Sequence, residues 1–338
     1  MKRMRLILLA VAASLVWLNA HAGKVVIKVA TVAPPHSAWD DYLQQINETW
    51  RQLSNGEVEL KIYAGTLGDE SDIMRRIRIG QIDAATVSTA GMATIDPAAT
   101  ALHIPLAFSS YEEIDYVREH ISGQVEQVLR EKGIVVLNWG EGGWLRLFSN
   151  TPIQYPDDLK KQRFFVWSTG DTTHAEEIWK NLGVKPVPLS SVDILPALQT
   201  GMITAYQAPP LLALANQWFA FTKFMTDMRW APLLGASVIS TRAWARVPAE
   251  LQPKLLQAAR EAGRALDKKV RAQEQQAIDA MVKRGLKLVP ISPETLKSWE
   301  KFTQAVYPEI RGKVVPAKYF DEALRLRDEY RMTHAKAG

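Results

Sequence analysis

From residue 25 onward the chain alternates short apolar runs with amphipathic ones. Residues 25–32 (VVIKVATV) are dense in β-branched side chains and stop at Ala33-Pro34-Pro35-His36-Ser37, the pattern of a strand running into a turn. Ser37 is placed to cap a helix in which Trp39, Tyr42, Leu43, Ile46, Trp50 and Leu53 recur at spacings of three and four. Residues 58–63 (VELKIY) alternate like a strand, 65–70 (GTLGDE) break it, and Ile73, Met74 and Ile77 predict a second helix. A strand over 82–87, a helix over 111–132 and an almost wholly apolar strand over 134–139 (IVVLNW) continue the order. Apolar strands separated by helices predict an α/β protein whose sheet is covered on both faces.

Beyond Pro156 the order repeats: strand 163–167, helix 173–182, an edge segment at 186–188, helix 194–200 and strand 203–207. Then Leu255, Ala259, Ala262, Leu266, Val270, Ala277 and Met281 mark one face of a long helix over about 253–284, opened by Pro253 and stopped by Gly285, with Gly263 inside it. At 1.5 Å per residue it is roughly 45 to 50 Å long, more than one domain needs, so it is expected to span two. Its apolar period is nearer 3.6 than 3.5, which favours packing on a globular surface over a coiled coil.

The first 22 residues change the picture of where the chain works. Lys2, Arg3 and Arg5 precede a nearly unbroken apolar run over 6–18, and Ala20-His21-Ala22 fits a cleavage site, so 1–22 reads as a secretory signal peptide cut after Ala22. The run is too short to span a bilayer, and an exported, periplasmic chain is expected. Removing those three cations takes the formal net charge from +5 to +2, which does not suggest nucleic acid as a partner. The chain has no cysteine, which excludes disulfides, thiolate metal sites and a thiol nucleophile. The 316 residues left after cleavage suit two domains better than one.

Candidate chemistry is sparse. The histidines at 36, 103, 120, 174 and 334 fall at no metal-ligand spacing, and no nucleophile elbow, Walker loop or dinucleotide fingerprint occurs. Gly140-Glu141-Gly142-Gly143 follows a strand but opens onto another strand-like run, so it is not a phosphate cradle. Neither a metal nor a cofactor is implied, and an enzyme is the weaker class. The better signal is the collection of glycine, proline and tryptophan at strand ends, where ligands of such sheets bind. His36, Ser37, Trp39, Glu70, Thr89, Trp139, Glu141, Trp144, Arg146, Phe165, Trp167, Tyr206, Gln207, Pro209 and Trp230 all fall at or beside such ends and are the candidate ligand-binding residues.

Several segments in series resemble the extracytoplasmic solute-binding proteins of TRAP transporters: IKVATVAPPHSAW, YAGTLGDE, GQIDA, IPLAF, SNTPIQYPDDLK, LGVKPV and ALQTG, in order over nearly all of the mature chain. The resemblance implies a two-domain periplasmic binding protein fold with a ligand cleft between domains and a long domain-spanning helix. The expected first domain is 23–145 plus about 232–265, and the second 146–231 plus about 266–338, with the helix shared. It also implies no reaction and delivery of a small-molecule solute to small and large membrane subunits; the chain is expected to be a monomer or homodimer. Relatives commonly clamp a solute carboxylate with an Arg in the strand after the DLKG-like turn, where this chain has Phe165. A second Arg position matches Leu145, with Arg146 one step along, and the Asn of a Q-E-N-P segment matches Ala208.

These departures predict an apolar or aromatic solute with at most one polar or carboxylate end, for which Glu141, Arg146, Gln207 and Arg229 are the candidate partners. Strand alternation places Phe165 and Trp167 on one face and Phe164 and Val166 on the other, and the first pair is expected to face the cleft. Trp139 and Trp144 divide evenly between cleft and core, His36 and Ser37 between solute contact and helix start. Trp50, Trp179, Trp244 and Trp299 are expected in the core. The alternative is an interaction protein of the same fold that binds a periplasmic partner protein instead of a solute.

Overall fold

The computed structural model describes residues 24–167 and 173–334, so the signal peptide read at 1–22 lies outside it. Strands β1 (Val25–Thr31), β2 (Val58–Ala64) and β3 (Ala84–Ser88) alternate with helices α1 (Ala38–Leu53) and α2 (Glu70–Arg78). Helix α3 (Tyr111–Glu131) leads to β4 (Ile134–Ser149), followed by β5 (Arg163–Trp167), α4 (Thr173–Asn181), β6 (Lys185–Leu189), β7 (Ala205–Ala208) and α5 (Pro210–Ala215). The chain closes with β8 (Phe224–Ser240), α6 (Gln252–Lys283), β9 (Lys287–Val289), α7 (Pro293–Gln304) and α8 (Ala317–His334).

Among the described residues these strands form one mixed sheet in the order β2-β1-β3-β8-β4-β7-β5-β6, with β9 beside β8. Two antiparallel strands of 16 and 17 residues, β4 and β8, run through its middle from Ile134↔Ser240 to Ser149↔Phe224. At about 3.3 Å per residue they are roughly 50 Å long, so one pair of ribbons serves both halves of the molecule. β1, β2 and β3 join at one end and β5, β6 and β7 at the other.

The sequence pattern ends one strand at Trp139 and opens another strand-like run beyond Gly143, whereas the structure carries β4 through the glycines between them. Glycine permits this because β4 and its neighbours approach so closely there. A Cβ on Gly142 would lie 2.7 Å from Leu233 Cδ2, and one on Gly235, the β8 partner of Gly140, would lie 2.5 Å from the Val87 carbonyl oxygen. Register shifts between Val136 and Asn138, Glu141 and Gly143, and Leu145 and Leu147 bend the ribbon.

Both faces of both halves are covered. On the first half, α1 packs Tyr42, Leu43, Ile46 and Trp50 with Leu255, Ala259 and Leu266 of α6. The opposite face holds Ile114, Val117 and Ile121 of α3 with Tyr319, Phe320 and Ala323 of α8. The C-terminal helix therefore belongs with the first half, although a boundary at about 266 assigns it to the second. Its apolar face has no partner in sequence, and only the fold reveals that α3 supplies one. On the second half, Ile278 and Met281 of α6 join Phe148, Phe165 and Tyr206, while Phe164, Val166 and Trp230 meet Trp299 of α7 on the other face. Helix α6 thus contributes to cores in both halves.

Candidate functional site

A cavity of about 420 Å³ opens where the two halves meet. One wall comes from the ends of β1 and β3 (Thr31, Thr86, Ser88), the mid-regions of β4 and β8 (Asn138, Gly140 to Gly142, Leu233 to Ser237) and Leu266 of α6. Trp167 at the end of β5, Ser191, Val192 and Leu195, and Leu212, Asn216 and Trp218 around α5 form the other. Strand ends and the reversal of strand order converge here, the usual location of a ligand in an open α/β sheet.

Of the residues singled out from sequence, Trp39, Glu70, Glu141 and Trp167 line this cavity together. Phe165 lies on the same face of β5 as Trp167 but beneath it, fully buried, their rings 5.0 Å apart and near perpendicular. Only the terminal residue of the strand reaches the opening, because α5 and the segment around Ile194 cover the preceding one.

The remaining candidates sit elsewhere, each for a definable reason. His36 adopts a left-handed φ of 63° and gives its N–H to Asp40 Oδ2 at 2.8 Å, while Ser37 caps α1 by accepting from Asp40 N at 3.3 Å. Both serve the start of the helix, and their neighbours Pro34 and Pro35 line the cavity instead. Thr89 and Trp139 border a minor crevice beside α3, where the Trp139 indole donates to Glu126 at 2.9 Å. Trp144, carried past the register shift at Glu141, packs fully buried on Tyr111 with the Arg229 guanidinium 5.5 Å from its ring centre. Tyr206 stacks on Phe148 at 5.0 Å in the second-half core, and Trp230 lies between Trp179 and Trp299. Gln207 is buried in β7 with its Oε1 unpartnered, and Pro209 precedes α5 against Gly143. Trp50, Trp244 and Trp299 are buried in the core.

Of the four candidate partners for a polar solute end, three are remote or engaged. Arg146 is buried between Asp227 and Glu274, each at 3.2 Å, and Arg229 donates to the Ser109 carbonyl at 2.9 Å. Gln207 does not reach the cavity. Glu141 does, and it is 2% exposed. One of its oxygens is held by Arg271 of α6, the other has no protein partner, and its N–H donates to Asp267 Oδ1 at 3.0 Å. Arg271 is in turn held by both oxygens of Asp115 at 2.7 Å, and Arg118 bridges Asp115 and Asp267 at 2.8 and 3.1 Å. Burial pushes the Glu141 carboxyl up to about 7; the Arg271 bond opposes this shift and the Asp267 charge adds to it. Glu70 is also raised by burial, but its oxygens are occupied by the Ser88 hydroxyl and by Ser88 N at 2.8 Å.

Residues that sequence reasoning passed over complete the wall. The Tyr42 hydroxyl donates to Asn138 Oδ1 and lies 2.9 Å from Ser237 Oγ, which lies 2.8 Å from Thr86 Oγ1. Asn138 alone carried a signal, as the one polar residue in the apolar run IVVLNW. Trp218, Asn216 and Leu212 follow Pro209 in a stretch whose proximity to β1 nothing local reveals. Among the residues whose side chains are described, 24–167 and 176–334, no Lys, Arg or His lines the cavity.

Comparison with known proteins places these features in a wider group. Residues 29–313 match the DctP family, described as bacterial extracellular solute-binding protein, family 7. The chain is 26% identical over 254 residues to the 2,3-diketo-L-gulonate-binding periplasmic protein of Escherichia coli, covering 73% of this chain and 75% of that one. It is 22% identical over 297 residues to the C4-dicarboxylate-binding periplasmic protein of Rhodobacter capsulatus, covering 87% and 88%. Among solved structures, a TRAP periplasmic solute binding protein from Ralstonia eutropha with (S)-2-acetolactate bound superposes with a TM-score of 0.84 at 23% identity, over 91% of this chain and 100% of that one. One from Citrobacter koseri with D-glucuronate bound gives 0.78 at 25% identity, over 90% and 99%.

Proposed function

This chain belongs to family 7 of the bacterial extracellular solute-binding proteins, and from that premise we propose that its cavity takes an apolar or aromatic organic solute with at most one polar end. It is a receptor of the TRAP type and not an enzyme: it binds a small molecule in the periplasm and works with membrane subunits. The leader at 1–22 is the proposed export signal.

One observation carries the solute class. The cavity wall presents Trp39, Trp167, Trp218, Leu195, Leu212 and Leu233, and no cationic side chain among the side chains described, those of 24–167 and 176–334. The compared relatives are named for a diketo sugar acid and for C4-dicarboxylates, and the solved neighbours hold acetolactate and glucuronate. A dicarboxylate here would meet Glu70 and Glu141 with no cation among the described side chains to receive it, a cost of several kcal/mol. Aromatic faces and leucines instead reward burial at about 25 cal/mol per Å². Because the walls come from both halves, a solute that touches both favours the closed arrangement by its differential affinity, and that arrangement is what membrane subunits can read.

Native mass spectrometry of gently purified protein, followed by calorimetric titration, tests the reading. A co-purifying apolar or aromatic molecule, and weak or absent binding of succinate and D-glucuronate, is the expected result. Micromolar binding of either acid with no binding of aromatic solutes overturns it.

A further inference from the structure

A row of neutral polar residues crosses the cavity wall. Thr31 of β1, Thr86 of β3, Ser237 of β8 and Asn138 of β4 are successive register partners on four adjacent strands, so their side chains share one face of the sheet. Tyr42 of α1 bonds to that row, and all five residues line the cavity. We propose that the polar end of the solute is an uncharged hydrogen-bond donor, an alcohol or phenol hydroxyl or a neutral N–H, received by Thr86 Oγ1. This rests on the receptor reading and names the polar group of the solute taken at that same site.

Counting protons fixes the direction of the row. The Asn138 amide is oriented by its nitrogen, which donates to the Trp139 carbonyl at 3.1 Å, so the oxygen faces Tyr42 and can only accept. The single Tyr42 proton is spent there. Ser237 Oγ, 2.9 Å from the Tyr42 oxygen, must then be the donor between those two. That spends the Ser237 proton, so Thr86 Oγ1, 2.8 Å away, donates to Ser237. Thr86 is left with lone pairs and no proton. Burial raises the Tyr42 pKa far above its ordinary value, which keeps the proton that orders the row in place. Thr31, Tyr42, Asn138 and Ser237 are buried, whereas Thr86 is half-buried on a strand flanked by β1 and β8, so what it exposes is its side chain.

A carboxylate brings no proton to such an acceptor. An ammonium brings one together with a charge that none of the five neutral residues answers, and burying an unanswered charge costs more than a neutral hydrogen bond returns. The carboxyls of the cavity wall are held by their own partners, Glu70 by Ser88 and Glu141 by Arg271. A neutral O–H or N–H completes the row without that cost, while the indoles and leucines take the apolar body.

Matched probes test the proposal: phenethyl alcohol, its methyl ether, phenethylamine and phenylpropanoate, and the same four groups on a naphthyl scaffold. Thermal shift and calorimetric titration are expected to place the alcohol at least about fivefold above the ether, the amine and the carboxylate. Thr86→Val is expected to bring the alcohol down to within about twofold of its ether. Tyr42→Phe lets the Ser237 proton turn to Thr86 and the Thr86 proton turn to the solute, and is expected to narrow the same gap by raising the ether. An ether, amine or carboxylate that binds as tightly as its alcohol overturns the proposal, as does an alcohol preference that survives in Thr86→Val. The ranking by the unmodified protein decides the matter even if a variant fails to fold. If alcohol and ether bind equally, this inference falls while the apolar-solute reading stands; if nothing co-purifies and no probe binds, or only succinate or D-glucuronate binds, both fall.

Discussion

Adjacent aromatic residues in β5 have separable duties. Phe165 fills the second-half core with no exposure, and Phe165→Ala is expected to cost about 3 to 5 kcal/mol of stability, read from the denaturant midpoint, with solute affinity of the folded fraction little changed. Trp167→Ala removes a half-buried ring at the cavity and should cost less stability while weakening solute binding at least tenfold. A reversal of that pattern would show that Phe165, not Trp167, meets the solute. Glu141 makes a second prediction at this scale. Its folded carboxyl titrates at about 7 against an ordinary 4.5, so between those values the folded state holds a proton that the unfolded chain has released. Stability conferred below pH about 4.5 is therefore lost as pH rises towards 7, by on the order of 3 kcal/mol, in a setting that includes Arg271, Arg118, Asp115, Asp267 and Tyr111. Urea unfolding across pH 4 to 8 should show Glu141→Gln gaining on the unmodified protein over that window, and parallel curves would refute the shift.

The long helix shows how an element can carry a local defect for a tertiary reason. Gly263 costs α6 about 1 kcal/mol of helix propensity relative to alanine. A Cβ there would lie 2.5 Å from Asn138 Nδ2 and 3.1 Å from Asn138 Cβ, so the glycine lets the helix press on β4 at the residue that receives the Tyr42 hydroxyl. Gly263→Ala should therefore be net destabilising by about 1 to 3 kcal/mol despite its better propensity, and should weaken solute binding by displacing Asn138. A raised denaturant midpoint would contradict this. Four residues further along each time, Asp267 and Arg271 put charge on the same buried stripe, tying the helix to Glu141 and to α3.

Across the whole molecule the halves touch directly at the cavity rim, where the Ser191 hydroxyl donates to Asp69 Oδ1 at 3.1 Å. Asp69 also caps α2, accepting from Glu70 N at 2.8 Å, so Ser191 is the partner to remove. Ser191→Ala should take about 1 kcal/mol from the closed arrangement and weaken solute affinity about fivefold, with the denaturant midpoint unchanged. Equal affinity by calorimetric titration would mean that this contact does not contribute to closure. Ribbons shared by both halves make such coupling natural, since β4 and β8 bring Glu141 and Leu233 to the wall and also run into both cores.

The sequence alone determined the alternation of strands and helices, the long helix, and β5 at its observed bounds, because periodicity and β-branching report the local choice between extended and helical backbone. Family resemblance, carried by short segments in order, pointed to the fold and to the kind of receptor. What only tertiary structure decided was which residues of each element face the cavity. Strand alternation put Phe165 with Trp167, but the cover over the first comes from segments some thirty or more residues away in sequence. Glycines that separate two strand-like runs at 140–143 lie inside one continuous strand, since the close approach at Gly142 is set by Leu233 across the sheet. Tyr42, Ser237 and Trp218 line one cavity only because three distant parts of the chain converge, and no local pattern records a contact that depends on where the other partner folds.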